Sequence, residues 1–327
     1  LEVLIQKIKN FKTDKNLVLI MVLVTAGLFI LGLAVLLYGA DRIVKDGSRF
    51  ALYFGVSTFF VGVTVVSIGT SVPEMATSFF SALYGAGDIV VGNIIGSETA
   101  QITLAIGVVA LVAPILASRK QVMVYGGAMI LAMIIMILVL EDGMIIRSEG
   151  FLMMFSYIFF LYHIYATEGG EEIVEGIEAE PAPPKKTVPG LLLGIVLVVA
   201  GGHLMVTNGV EIARILDIPE YIIGLMTGLG TTLPEIFVAA IAGYRGNAGI
   251  SAGSILGSNI TDPVFSLGFG AFAAEISVSN PAGVLWSAAY MLGVSIIVIG
   301  MFLWQEGIDR KTAILCILLY LPSFFIM

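Results

Sequence analysis

The chain has 327 residues, of which 58% are hydrophobic and only 12% charged, with a mean hydropathy of +1.02. A soluble protein carries roughly twice that charged fraction, so lipid must be the solvent for much of this surface. One cysteine, Cys316, excludes an internal disulfide and a thiolate metal site, and two histidines, His163 and His203, are too few for a histidine cage. The net charge of −8 comes largely from one loop and says little about the core.

A tail over residues 1–16 precedes the first apolar run, Leu17–Tyr38. Nine more apolar segments follow, at about 56–84, 88–113, 121–140, 149–165, 188–207, 221–245, 249–274, 282–303 and 311–326. Most approach the ~20 residues that cross ~30 Å of hydrocarbon. Between the fifth and sixth lies the one strongly polar stretch, an acidic linker over 166–187 with Glu168, Glu171, Glu172, Glu175, Glu178 and Glu180, closed by Pro181-Ala182-Pro183-Pro184-Lys185-Lys186. The expected fold is therefore an all-α membrane protein of ten transmembrane helices, with one five-helix repeat over 17–165 and another over 188–327.

The word repeat is literal. Gly69-Thr70-Ser71-Val72-Pro73-Glu74 recurs as Gly230-Thr231-Thr232-Leu233-Pro234-Glu235, and Gly92-Asn93-Ile94-Ile95-Gly96-Ser97 recurs as Gly253-Ser254-Ile255-Leu256-Gly257-Ser258. Each matched pair differs by 161 (235 − 74, 258 − 97). Upstream, Gly47 and Gly62 match Gly209 and Gly224 at an offset of 162, so one residue is missing between Gly224 and Gly230. Five helices is an odd number, so the second repeat must enter the membrane inverted. With the N-terminus outside, the inside loops hold Arg42, Lys45, Arg49, Arg119, Lys120, Lys185, Lys186, Arg245, Arg310 and Lys311, and the outside loops only Arg147 and Arg214. That bias, set against Lys7, Lys9, Lys12 and Lys15 in the tail, places both termini outside and the acidic linker in the cytoplasm.

Glu74 and Glu235 fall mid-segment, where an ionised acid costs at least about 2.5 kcal/mol. No lysine or arginine lies mid-span in the motif helices to pair with them. A metal ion or a proton is the remaining partner. Pro73 and Pro234 remove an amide donor and clash with the carbonyls of Gly69 and Gly230, which predicts a helix break and loose carbonyl oxygens. Thr70, Ser71, Thr231 and Thr232 add hydroxyls. This donor set suits a hard cation, Ca²⁺ or Na⁺. Ser97 shares a helix face with Gln101, and Ser258 with Asp262, so both pairs can close the cage. Gly92, Gly96, Gly253 and Gly257 are expected to serve close helix packing.

These residues resemble the two α-repeats of the Ca²⁺/cation antiporter superfamily, specifically the prokaryotic sodium/calcium exchangers. Thr232 stands for the usual serine, Ser254 for asparagine and Gln101 for asparagine. The resemblance implies a Ca²⁺ site made by Glu74, Glu235 and the carbonyls of Thr70 and Thr231. It implies Na⁺ sites that use the same glutamates with Ser71, Thr232, Ser97 and Ser258, with Gln101 and Asp262 as further site positions. Small residues near an external Na⁺ site match Ser67 and Gly228. Related potassium-dependent exchangers rely on an acid where Asp262 stands. The implied function is antiport of Na⁺ for Ca²⁺ by alternating access, with the first helix of each repeat sliding. The alternative is an H⁺-coupled or K⁺-dependent antiporter of the same fold. A channel or a Ca²⁺ sensor is the rival of a different class.

Glu98 departs from the pattern: its counterpart is Asn259 (98 + 161). It reads either as a protonated packing acid or as a contributor to ion or proton binding. No nucleotide loop and no nucleophile–base pair is found, so an enzyme, a cofactor, a nucleic acid and a protein partner are not expected. The surroundings are membrane lipid, and the cell membrane is the expected location.

Overall fold

The computed structural model describes residues 15–168, 180–216 and 229–326. All of the N-terminal tail but Lys15 and Asn16, the middle of the acidic linker, Gly224 and Gly228 lie outside the described residues, and so does most of the interval with the missing residue.

The helices follow the apolar segments. They are α1 Lys15–Phe54, α2 Thr58–Thr70, α3 Val72–Leu83, α4 Gly87–Val112, α5 Arg119–Val139 and α6 Arg147–Glu168. After the linker come α7 Pro184–Ile215, α8 Leu233–Tyr244, α9 over 248–273, α10 Pro281–Gln305, α11 Arg310–Tyr320 and α12 Ser323–Ile326. Among the described residues, six helices are long and apolar enough to cross a membrane, and the bent pair α2–α3 makes a seventh such span. The chain is an all-helical, multi-pass membrane protein. The run α9 is as long as α4 but falls outside that apolar set, because serines, Asn259 and Asp262 interrupt it. Most of its residues are nonetheless buried.

Two helices are longer than their apolar runs. With 40 residues, α1 extends about 60 Å at 1.5 Å per residue, twice the ~30 Å hydrocarbon core. Its apolar run ends at Tyr38, yet the helix continues because its charges satisfy one another. Arg42 Nε lies 2.8 Å from Asp46 Oδ2 one turn on, and Arg49 Nη1 lies 3.7 Å from Asp46 Oδ1. Arg42, Lys45 and Arg49 are therefore on a helix end rather than in a loop. Likewise α7 begins at Pro184, and Lys185 and Lys186 sit on its first turn.

These two helices run antiparallel along each other through matched glycines. A Cβ on Gly32 would strike the backbone of Gly201 and Met205, and one on Gly39 would strike Gly194 and Val198. Backbones this close need glycine on both sides.

Two short antiparallel pairs close the ends of the bundle. Strand β1 (Ile115–Leu116) pairs with β4 (Gly307–Ile308), and β2 (Met144–Ile145) pairs with β3 (Ile276–Ser277). At the 161 offset β1 corresponds to β3, so each strand pairs outside its own half. The large apolar core, which includes Ile94, Ile102, Met129, Met133, Met136, Ile260 and Cys316, lies among α4, α5, α9, α10 and α11. Cys316 packs there fully buried. Trp286 and Trp304 stand 75% and 83% exposed, as expected of anchors at a membrane interface.

Candidate functional site: two broken helices face to face

The break predicted from Pro73 occurs at Ser71. There α2 stops at Thr70, α3 starts at Val72 with Pro73 in its first turn, and the axes bend by 43°. The second half repeats it: a turn at Thr231 and Thr232 precedes α8, with Pro234 in its first turn. Proline is tolerated in a first turn because that amide would have had no helical acceptor. The same placement puts Glu74 and Glu235 in the first turns of α3 and α8. There the amide ends of the helices carry partial positive charge.

Both glutamates are 0% exposed. Among the described residues none of their four carboxylate oxygens has a hydrogen-bond donor, and neither forms an ion pair with lysine or arginine. Each has a hydroxyl of the other half among its neighbours. The Thr231 hydroxyl neighbours Glu74 and the Thr70 hydroxyl neighbours Glu235. Glu74 also feels Glu235 and Asp262. An uncompensated buried charge is among the most costly features a fold can hold.

The two halves meet at equivalent positions. Gln101 Nε2 donates to Asp262 Oδ2 at 3.2 Å, and these residues are counterparts (262 − 101 = 161). Gln101 Oε1 in turn accepts from Asn259 Nδ2 at 2.9 Å, and Asp262 Oδ1 accepts from Ser266 Oγ at 2.8 Å. Each of the two residues opens a π-helical turn, Gln101–Ala105 in α4 and Asp262–Ser266 in α9. A third such turn, Gly62–Val66, lies in α2 just before the break, and a fourth, Val122–Gly126, lies in α5. π turns widen the helix by one residue and shift which side chains point inward.

The remaining expected residues take their places as follows. Ser71 and Thr232 are buried, and their hydroxyls have no hydrogen-bond partner among the described residues. Ser71 lies beside Asp262. Thr70 donates to the Ser67 carbonyl at 3.2 Å, Ser97 to Ile94 at 3.1 Å and Ser258 to Ser254 at 3.0 Å, so these three hydroxyls are held on their own helices. Thr231 is only partly buried. Among the described residues no three acids, histidines or cysteines converge on one point. The glutamates instead share their surroundings with hydroxyls, an amide and loosened helix ends. Gly253 and Gly257 let α9 touch the backbone of α2 at Phe59, Gly62 and Val63. At Gly92 and Gly96 an added Cβ would meet no described residue within 4 Å.

Sequence reasoning did not include a second polar relay. Thr261 Oγ1 lies 3.0 Å from the Tyr157 hydroxyl and 3.5 Å from Ser67 Oγ, and all three residues are buried. Tyr157, on α6, carries no motif signal and is one of eleven tyrosines. Thr261 and Ser266 had a signal in their spacing around Asp262.

The chain is similar to known proteins in sequence and in fold. The sequence profile of the family described as "Sodium/calcium exchanger protein" matches residues 24–166 and 186–327. The inner membrane protein YrbG of Escherichia coli is 33% identical over 298 residues, covering 88% of this chain and 90% of that one. The sodium/calcium exchanger MaX1 of Methanosarcina acetivorans is 26% identical over 350 residues, covering 94% and 99%. Among solved structures, the sodium-calcium exchanger NCX_Mj soaked with Na⁺ and Sr²⁺ superposes with a TM-score of 0.79 at 30% identity, covering 93% of this chain and 99% of that one. The profile covers both halves and stops at the polar linker, and the broken helices it spans carry the paired glutamates: this chain belongs to the sodium/calcium exchanger family.

Proposed function

We propose that this protein is a secondary antiporter that exchanges Na⁺ for Ca²⁺ by alternating access, with Glu74 and Glu235 shared between the two ions. One observation carries the reading. Two acids with no donor and no cationic side chain among the described residues are buried at the breaks of two matched helices, in a chain of the sodium/calcium exchanger family. A transported cation supplies the missing charge. Ca²⁺ takes the two carboxylates together with the carbonyls of Thr70 and Thr231. Na⁺ takes the same carboxylates with oxygens from Ser71, Thr232, Ser97 and Ser258. Gln101 and Asp262 join the two halves beside them. Because both cargoes need both glutamates, they exclude each other, and that exclusion makes exchange obligatory.

The ten-helix arrangement in two inverted repeats (17–165 and 188–327, joined by a cytoplasmic linker) is part of this proposal. Strand exchange supports it. The loop before α5 pairs with the loop before α11, and the loop before α6 pairs with the loop before α10. In parallel repeats these partners would lie on opposite faces of the membrane; in inverted repeats they share a face. The charge bias of the helix ends favours both termini outside. The glycine-lined contact of α1 with α7 suits helices that slide past the rest of the bundle.

The test is Ca²⁺ uptake into proteoliposomes under separately imposed Na⁺, K⁺ and pH gradients. Uptake against the Ca²⁺ gradient, driven by outward Na⁺ and lost in Glu74→Gln, is the expected result. Uptake driven by pH and indifferent to Na⁺ would overturn it.

A further inference from the structure

The π turn that begins at Asp262 is bracketed by a side chain of another helix. Tyr157, on α6, is 3% exposed. Its hydroxyl meets the Thr261 hydroxyl at 3.0 Å, and its ring lies against Phe265 with centroids 5.2 Å apart. Thr261 is the last residue before the turn and Phe265 lies inside it, so one side chain touches α9 on both sides of Asp262. Thr261 in turn lies 3.5 Å from the hydroxyl of Ser67, the first residue after the π turn Gly62–Val66 of α2. The two helices approach closely here, where a Cβ on Gly257 would come within 2.8 Å of the Ser67 Cβ. Ser67 also leads to the helix break, because its carbonyl accepts the Thr70 hydroxyl at 3.2 Å. At the matching positions the first half lacks these groups. Ala100 and Leu104 stand for Thr261 and Phe265 (261 − 161, 265 − 161), and they carry neither a hydroxyl nor a ring. Leu318 stands where Tyr157 would recur (157 + 161).

We infer that Tyr157 is a positioning residue for Asp262: it fixes the rotation of α9 at the π turn and, through Thr261 and Ser67, the register of α9 against α2. A π turn carries one residue more than the α-helix around it. Were it to revert to α-helical bonding, the helix on one side would turn by about 100° relative to the other. That rotation would part Asp262 from Gln101 or from Ser266. The contacts at Thr261 and Phe265 oppose it from both sides of Asp262. They are of different kinds, a bond between hydroxyls and packing between rings, so they can be removed one at a time. Loss of the hydroxyl should have the selective effect of a misplaced Asp262, not the uniform effect of a damaged glutamate pair. The inference deepens the antiport reading and rests on it for the consequence in transport; its effect on ion binding is separable from flux.

The experiment measures half-saturation by radiolabelled Na⁺ and Ca²⁺ in nanodiscs for the intact chain, Tyr157→Phe, Thr261→Val and Thr261→Ser. Tyr157→Phe keeps the ring on Phe265 and removes the hydroxyl. Thr261→Val keeps the shape of its side chain and removes the partner hydroxyl, which Thr261→Ser retains. Half-saturation by Na⁺ should weaken by about threefold in Tyr157→Phe and in Thr261→Val, the scale of one neutral hydrogen bond, and that by Ca²⁺ by less. Thr261→Ser should bind as the intact chain does. The double variant Tyr157→Phe with Thr261→Val should lose no more than either alone, and Tyr157→Phe should have no further effect in an Asp262→Asn background. An unchanged Na⁺ half-saturation in Tyr157→Phe overturns the inference, even with a lower Tm, since the hydroxyl then serves stability alone. Equal weakening for both ions overturns it too. So does the same loss in the Asp262→Asn background, because the hydroxyl then acts elsewhere. If the chains bind ions as expected but Na⁺ gradients drive no Ca²⁺ uptake by the intact chain, the antiport reading fails and the positioning role stands.

Discussion

The two halves of this molecule agree where the backbone breaks and differ where charge is set. At the break, the first half has Thr70, Ser71, Pro73 and Glu74, and the second has Thr231, Thr232, Pro234 and Glu235. One turn beyond the shared serine, they diverge: Glu98 and Gln101 on α4 stand against Asn259 and Asp262 on α9. The number of acids is the same, but they sit at different heights along the helix. Symmetry thus builds the frame, two carboxylates at two broken helices. Asymmetry sets where the remaining buried acids, Glu98 and Asp262, lie.

The sharpest way to break this comparison is to remove either half of the frame. Glu74→Gln and Glu235→Gln should each reduce Na⁺-driven Ca²⁺ uptake by about 100-fold or more, since Ca²⁺ affinity follows the number of charged ligands. The two losses should match. A large loss in one and a small loss in the other would show that the halves do not share one ion.

Next in size is the seam between the halves. Gly32→Val and Gly201→Val place side chains into the backbone of the opposing helix, and overpacking of this kind costs about 1–3 kcal/mol. Thermal unfolding in detergent should show a lower Tm for both. Gly27→Ala lies on the same helix with nothing within 4 Å of its Cβ, and it should leave Tm unchanged. If all three behave alike, the close approach of α1 and α7 is not what holds the seam.

Removing asymmetric charge should have a smaller and more selective effect. Asp262→Asn keeps an oxygen for Ser266 or Gln101 but removes a negative charge. Half-activation by Na⁺ should weaken by about tenfold, equivalent to ~1.4 kcal/mol, and half-saturation by Ca²⁺ by less. Concentration-dependent uptake measures both. An equal loss for both ions would place Asp262 in the shared frame rather than in the asymmetric part.

The frame was legible in the sequence because a repeat at fixed offset announces itself, and because an acid beside proline in apolar sequence is too costly to keep without a cation or proton to receive. The helix break at Ser71 followed from Pro73 alone. The length of α1 was not legible from hydropathy, because Asp41, Arg42, Lys45 and Asp46 read as the start of a loop. Only the contacts of Asp46 with Arg42 and Arg49 show why the helix continues. The π turns at Gln101 and Asp262 were not legible either, since a π turn demands no particular residue. Pro263 hints at one of them, and Ile102 hints at nothing. The Gln101–Asp262 contact combines both cases. Their equivalence is written in the sequence, but the hydrogen bond between them is seen only in the folded chain.

The smallest expected effect lies at a surface contact that the two halves do not share. Arg245 pairs with Asp41 and Asn247 with Ser48, fastening the end of α8 and the start of α9 to α1. The counterparts of Asp41 and Arg245 are His203 and Tyr84, two side chains that cannot form a carboxylate–guanidinium pair, so this ion pair is not repeated at the matching positions of the other half. Side chains of Arg245 and Asp41 are 51% and 34% exposed, and exposed pairs contribute about 0.2–1 kcal/mol. Arg245→Gln should therefore lower stability by no more than that, and raised salt should erase the difference, because exposed charges are screened within about 10 Å at 0.1 M. A double-mutant cycle with Asp41→Asn isolates the pair from the effect of either side chain alone. A coupling well above 1 kcal/mol would mean that this face is locked by charge. A coupling near zero would leave the buried Asn247–Ser48 bond as the fastening, with the ion pair only lying over it.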